Sequence, residues 1–487
     1  MVENNTVCKD LEDAGVMIPI IFPFSSPVWP QLSSFPSFRF GLSLLLLSCN
    51  VAARAMATCL NLTMVSMVNS TNPQGLPNNS SKKLLDNIKN PVYNWSPDIQ
   101  GIILSSGFFG MIFIQIPAGY LSGIFSVKKM VGSALFFCSL FSMLTPLAAE
   151  LGDTSVIVCR AAHGVAQGIA GTAQHEIWVK WAPPLERGQL TSMSQSGSLL
   201  GSFIVLLMTG LICESLGWPM VFYIFGACGC ALCLLWFVLF YDDPKDHPCI
   251  SISEKEYITS SLAQQVSSSR QYLPIKAMLK SLPVWAIILG GFAYFCTNSL
   301  LILYTPMFIN SVLHVTITKN GLLSGLPHLF AWICSILSGQ MTDFFLTRNI
   351  LRLITIRKLF TTLGLLLPAI FSLCMVYLSF SFYSTVIFLI LANATVSFAL
   401  CGVLINALDI APRYYGFLRG ITCFFGMIGG LISSILTGWI LSQDPESSWF
   451  KVFFLLAAIN VTSLIFYLVF AKAEIQDWAE EKQDTRL

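Results

Sequence analysis

The stretch "VCRAAHGVAQGIAGTAQHEIWVKW", residues 158–181, puts Arg160, His163, Gly164, Gln167, Gly168, Gly171, Gln174, His175 and Trp178 on one broad face at helical spacing. The rest of the segment is apolar. A guanidinium keeps its charge at any working pH and grips planar carboxylates or phosphates with two parallel hydrogen bonds, so an arginine with no obligate acid beside it is equipped to hold an anion. A second such arginine, Arg54, follows Asn50 by one turn in "LLLLSCNVAARAMATCLNLTMV". Gln115, Tyr304, His328 and Asn406 add polar groups to four other apolar runs. Arg160, Arg54, His163, Gln167, Gln115, Tyr304 and Asn406 are therefore the candidate substrate contacts. Each has a plainer reading. Arg160 could be satisfied by Glu176 or by backbone carbonyls, Arg54 could snorkel or pair at a gate, and a lone histidine is usually just hydrogen-bonded. Glu176 is expected to pair with Lys180, one turn on.

The segments that must position these groups are too oily for water. Hydrophobic residues make up 55% of the 487 and charged ones only 11%, with a mean hydropathy of +0.71, whereas a soluble domain is about a quarter charged. A spanning helix needs about 20 apolar residues, and about twelve segments qualify. Six fall near 40–66, 98–123, 130–150, 155–181, 190–214 and 217–240, and six near 284–311, 321–345, 358–380, 382–410, 415–441 and 449–472. At mid-membrane a charged side chain costs about 2.5 to 3.5 kcal/mol on insertion scales, so it normally faces a cavity or a partner.

The net charge of +2 hides an asymmetry. Lys128, Lys129, Arg187, Arg348, Arg352, Arg357, Lys358, Arg413 and Arg419 collect in short loops on one side, and little beyond Lys319 and Lys451 stands on the other. By the positive-inside rule the basic side is cytoplasmic, and an even number of spans puts both tails there. The expected organisation is a cytoplasmic tail 1–38, a first bundle 39–240, a linker 241–283, a second bundle 284–472 and a cytoplasmic tail 473–487. The one long outer loop, 67–97, carries glycosylation triplets at Asn69, Asn78 and Asn79. The prolines in "VMIPIIFPFSSPVWP" and its shortness make the first tail a segment that touches the membrane surface, not a span.

The 15 cysteines lie almost all inside apolar runs and none falls in the outer loop, so neither a disulfide framework nor a metal site is expected. No cofactor is implied. Besides phosphate as a partner, sodium or chloride ions are the inorganic ions expected, with Asn50, Asn406 and backbone carbonyls as sodium contacts. Nucleophile triads and "GxxxxGK" loops are not evident, which argues against an enzyme. Partners are small anions and the lipid bilayer, and no nucleic acid is expected.

The chain also repeats itself. "SGSLLGSFIVLLMTGLI" before "LGWPMVFYIFGA" matches "FGMIGGLISSILTGWIL" before "SSWFKVFFLLAA", aligning Gly197 with Gly426, Gly201 with Gly430, Gly210 with Gly438 and Trp218 with Trp449. Two parallel six-helix halves are the organisation of a major facilitator, an all-α membrane fold with its substrate at the midplane between the halves. "GQMTD" (Gly339 to Asp343), followed by Arg348, resembles that superfamily's cytoplasmic loop signature. The resemblance implies gate pairing for Asp343 and Arg348, and the same role is read for Asp409 and Arg413 at the end of span ten. The corresponding first-half position is Gly123.

"KWAPPLERG" (Lys180 to Gly188), "GWPMVFYIFGACG" (Gly217 to Gly229), "GLPHL" (Gly325 to Leu329) and "LDIAPRYYG" (Leu408 to Gly416) resemble the anion:cation symporter family, which holds vesicular glutamate transporters, sialin and type I sodium-dependent phosphate transporters. With "NIKNPVYNWSPDIQGIILSS" and "DDPKDHPCISISEKEYI" the chain looks most like the type I phosphate and urate/organic anion transport proteins. That resemblance implies carriage of anions such as urate and p-aminohippurate, with phosphate or chloride linkage. It also implies an apical plasma membrane, with an internal membrane such as the endoplasmic reticulum as the alternative. Two departures are informative. Gln167 stands where proton-coupled members carry a glutamate, and an amide cannot carry a proton. Span seven lacks the arginine of glutamate carriers. The expected mechanism is voltage-driven alternating access, with sodium-coupled phosphate symport as the alternative.

Overall fold

In lipid every backbone N–H and C=O must be satisfied within its own segment, and long apolar runs answer with helices. The computed structural model describes residues 38–68, 91–122, 125–183, 187–248, 250–263, 274–377, 382–443 and 448–479. The helices of the first half are α1 (Phe38–Met67), α2 (Pro97–Ser122), α3 (Val127–Leu151), α4 (Asp153–Trp181), α5 (Arg187–Ser215) and α6 (Trp218–Leu239). Those of the second are α7 (Leu282–Leu313), α8 (Ile317–Thr347), α9 (Leu353–Tyr377), α10 (Phe382–Ile410), α11 (Tyr415–Gln443) and α12 (Ser448–Phe470). Among the described residues 11 of these are long and apolar enough to cross a membrane by themselves. The remaining one is α4, whose 29 residues match its neighbours in length and whose polar face lowers its hydropathy.

Each half packs as a bundle, α1 to α6 and α7 to α12, and the halves meet through α2 with α11, α5 with α8 and α1 with α7. The repeated glycines make these contacts in pairs. A Cβ on Gly438 of α11 would stand 2.9 Å from the Cα of Gly101 on α2. One on Gly210 of α5 would stand 3.3 Å from the Cα of Gly321 on α8. Hydrogen bonds reinforce the same end: Asn61 Nδ2 donates to the Ile302 carbonyl at 3.1 Å, and the Thr318 hydroxyl donates to the Gly210 carbonyl at 3.2 Å and to the Glu214 carboxylate. This is the end from which the 69–90 segment leaves, here called the loop end. Toward the other, linker end, Gly171, Gly339, Gly416 and Gly420 have open space where a Cβ would sit.

The linker is fastened to the first half. Glu254, on the short helix Ile252–Ala263, accepts from the backbone N–H of Phe38 at 3.1 Å and of Arg39 at 3.2 Å, and from Arg39 Nε at 2.9 Å. A carboxylate thus closes the N-terminus of α1, where free N–H groups and the helix dipole favour negative charge. Asp242 does the same for α3, accepting from the Lys128 N–H at 2.8 Å and from the Ser126 hydroxyl. Lys180, expected to pair with Glu176, instead lies 3.7 Å from Asp243 of the linker. Its helix ends within a residue, so the tip reaches the loop more easily than it folds back a turn.

Candidate functional site

Arg160 is set by the closest helix approach in the first half. A Cβ on Gly110 of α2 would fall 2.0 Å from the Ala161 carbonyl oxygen, and one on Gly164 of α4 2.1 Å from that of Gly107. Only glycine allows this backbone contact. It sets the Arg160 guanidinium beside Gly107, 3.8 Å from where a Cβ would stand there. Arg160 Nη2 donates to the Ala57 carbonyl of α1 at 3.0 Å. Its Nε has no protein acceptor, and the Nε2 of His163 one turn on has no protein partner either. Both residues are buried, 6% and 3% exposed. Of the two plain readings, the backbone carbonyl is the one realised; no described acid forms an ion pair with Arg160.

Arg54 occupies a different level. It lies 16 residues into α1, about 24 Å from the linker end at 1.5 Å per residue, and it is half-buried. Gly201 of α5 lies against its Cβ, 3.6 Å from where a glycine Cβ would be. From the second half, Tyr294 of α7 and His328 of α8 lie within electrostatic range of its guanidinium. Arg419, one turn into α11, lies within electrostatic range of the same Tyr294. Its Nη1 donates to the hydroxyl of Tyr415, 3.1 Å away and four residues back. Tyr294 and Arg419 are half-buried as well. Half-buried polar groups from both halves are thus within electrostatic range of Tyr294. Tyr294 and Arg419 were not singled out from sequence; the one readable sign was Arg419 falling i, i+4 from Tyr415.

The other candidates scatter. Gln167 and Gln115 are half-buried on α4 and α2. Tyr304 is not part of that group: it is 1% exposed, and its hydroxyl donates to the Ser434 carbonyl of α11 at 2.7 Å, beside Gly101. It belongs to the closed loop end. Asn406 is fully buried between α10 and α12, donating to the Tyr467 hydroxyl at 2.9 Å. Asn50 donates to the Ser194 carbonyl of α5 at 2.9 Å. The two asparagines, read as sodium contacts, are therefore held in opposite halves and do not converge.

Asp409 also finds a partner other than the expected one. Arg357 of α9 grips its carboxylate with two hydrogen bonds, 2.6 Å from Nε and 3.1 Å from Nη2. The cause is a π-helical turn in α10 at Leu400–Leu404, closely packed on α9 because Gly402 has no side chain there. Such a turn frees backbone carbonyls from the helix ladder. Arg357 Nη1 takes that of Cys401 at 2.8 Å and Tyr467 that of Gly402 at 3.1 Å. The pair knits α9 to α10 within one half and does not cross between halves. Arg348 is exposed, its guanidinium 5.7 Å from the Phe344 ring centroid. The side chains of Asp343 and Arg413, and Asn69, Asn78 and Asn79, lie outside the described residues, as does the tail 1–37.

Residues 46–421 match the Major Facilitator Superfamily. The chain belongs to that superfamily. It is 71% identical over 457 residues to the human "Sodium-dependent phosphate transport protein 1", covering 94% of this chain and 98% of that one. It is 48% identical over 466 residues to the human "Probable small intestine urate exporter", covering 93% and 94%. Among solved structures, a partially occluded inward-open form of the xylose transporter XylE from E. coli superposes with a TM-score of 0.64, at 16% identity and over 89% of this chain and 98% of that one. The molecule is thus a multi-pass membrane transporter of the facilitator fold, and not an enzyme. In a facilitator the space between the halves is where a substrate is held. Arg54 of the first half and Arg419 of the second are both within electrostatic range of Tyr294. Among the described residues neither Arg54 nor Arg419 forms an ion pair with a carboxylate.

Proposed function

We propose that this facilitator carries small organic anions of the urate and p-aminohippurate class, driven by membrane potential and sensitive to chloride, by alternating access. The observation that carries the reading is Arg160: a buried guanidinium held by one backbone carbonyl, with Nε unpartnered and the unpartnered Nε2 of His163 beside it. An unpaired buried charge is costly, and an anionic ligand supplies what the protein withholds. Gln167, on the same face, offers no proton-binding acid. The linker end is read as cytoplasmic, so the closed loop end makes this an inward-facing state. The protein is placed in the apical plasma membrane, or in an internal membrane, with Asn69, Asn78 and Asn79 as glycan acceptors on the far side.

Sodium-coupled phosphate symport is the second reading, favoured by the name of the 71% identical human relative. Uptake of labelled urate and labelled phosphate into proteoliposomes, with sodium, chloride and potential varied separately, decides between them. Urate movement that follows potential without sodium and is lost in Arg160→Ala supports the first. Phosphate accumulation that needs sodium, with urate indifferent to voltage, overturns it.

A further inference from the structure

An open acceptor stands one turn along α1 from the point that Arg160 grips. Arg160 Nη2 takes the Ala57 carbonyl at 3.0 Å, and Asn61 follows Ala57 by four residues, so the two share a face of the helix about 6 Å apart. Asn61 is 2% exposed. Its Nδ2 donates to the Ile302 carbonyl of α7 at 3.1 Å, and its Oδ1 has no donor among the described residues. Turning the amide round would set its oxygen against the Ile302 carbonyl, two acceptors face to face. The second half thus holds the side chain with a buried acceptor left open. On α4 the converse is open, since Arg160 Nε is a buried donor without an acceptor.

We infer that Asn61 is a specificity-determining contact of the substrate site: its Oδ1 accepts from an N–H of the same anion whose acceptor edge Arg160 holds. This rests on the anion-transport reading above and narrows it to anions that carry an N–H donor beside the anionic edge. Urate keeps ring N–H groups next to its carbonyl oxygens, and p-aminohippurate has an amide N–H near its carboxylate. Such a ligand satisfies an orphaned donor and an orphaned acceptor together. An anion without the N–H leaves the Asn61 oxygen buried and unpaired, and that is how a site rejects an analogue strongly. The Ile302 bond has a second consequence. It crosses between the halves at the closed loop end, so the oxygen keeps this orientation while that end is closed, and opening frees the amide to turn. Selection of the substrate is thereby linked to the conformational step.

The test uses the full-length chain in proteoliposomes, with labelled urate as tracer and unlabelled urate and its singly N-methylated derivatives as competitors. In the wild type at least one methyl derivative should compete about tenfold or more weakly than urate, because a methyl group replaces the hydrogen that Asn61 accepts. Asn61→Leu should weaken urate itself about tenfold and bring that derivative to within about twofold of it. A residue that only ties the halves together would weaken every competitor alike, so the ratio separates the two roles. Size-exclusion profile and thermal midpoint without ligand check folding; should Asn61→Leu not fold, Asn61→Ala carries the same comparison. Discrimination kept in the variant, an equal loss for all competitors, or methyl derivatives that all compete as well as urate in the wild type each overturn this inference and leave the transport reading intact. Failure of the wild-type protein to move urate would instead remove the reading on which the inference rests.

Discussion

A charge in an apolar helix is legible in a sequence, but its partner usually is not. Arg160 stood out because arginine is expensive there, and the structure leaves its Nε without a protein acceptor. A hydrogen bond to a charged group contributes about 1.5 to 3 kcal/mol, which is roughly 10- to 150-fold in affinity. Arg160→Gln should therefore lower kcat/KM for urate by at least about tenfold, with Arg160→Lys recovering only part; initial rates in proteoliposomes at matched protein amounts check this. Asp409 was equally visible, yet its partner sits 52 positions away on α9. Local spacing suggested Arg413, because a sequence displays neighbours along one helix and hides those across helices. Asp409→Asn leaves Arg357 buried and unpaired, and breaking a buried pair from one side costs about 3 to 5 kcal/mol. The thermal midpoint of the detergent-solubilised protein should fall clearly, and Arg357→Met combined with Asp409→Leu should recover much of the loss. A midpoint unchanged by Asp409→Asn would mean that the pair holds nothing together.

At the scale of helices, the repeat was the most informative thing in the sequence, and its glycines carry a shared task. Gly210 and Gly438 occupy matched positions in α5 and α11, and each lets its helix close on the opposite half. What periodicity did not disclose is which end of the molecule they seal, because a glycine marks close approach without naming the neighbour. The π-helical turn of α10 was equally hidden, since no residue type forces it. A methyl group at Gly438 would meet the Gly101 Cα and the Pro97 carbonyl oxygen at 2.9 Å, both backbone atoms that cannot swing aside. Overpacking of this kind costs about 1 to 3 kcal/mol. Gly438→Ala should shift the population away from the closed loop end without unfolding either bundle, since the strain falls between halves. Gly420→Ala, with open space around it, is the control and should behave as wild type. Distances between spin labels on the loop ends of α2 and α11 would lengthen in the first variant only; identical distributions in both would show that the contact does not govern closure.

For the whole molecule, the proposed reading makes membrane potential the driving force, because Gln167 offers no proton-binding acid at its place on α4. Gln167 cannot exchange a proton, and Asn50 and Asn406, read as sodium contacts, hydrogen-bond within opposite halves and are not brought together. The fold and its two halves were legible from hydropathy and repetition, whereas contacts across the halves, such as Tyr304 with Ser434's neighbour Gly101 and Asn61 with Ile302, depend on how the halves meet. A carrier that moves a monovalent anion alone moves one net charge, worth about 2.3 kcal/mol per 100 mV. A tenfold concentration ratio is 1.4 kcal/mol, so the steady-state urate ratio should change about tenfold for each ~60 mV imposed. Potassium-diffusion potentials of several sizes, set in proteoliposomes free of sodium, give this slope directly. A log-linear response of that steepness identifies uniport of a single charge. A slope of zero would require an electroneutral exchange or a coupled cation, and restoring sodium would then show which, because only the coupled cation makes accumulation follow the sodium gradient.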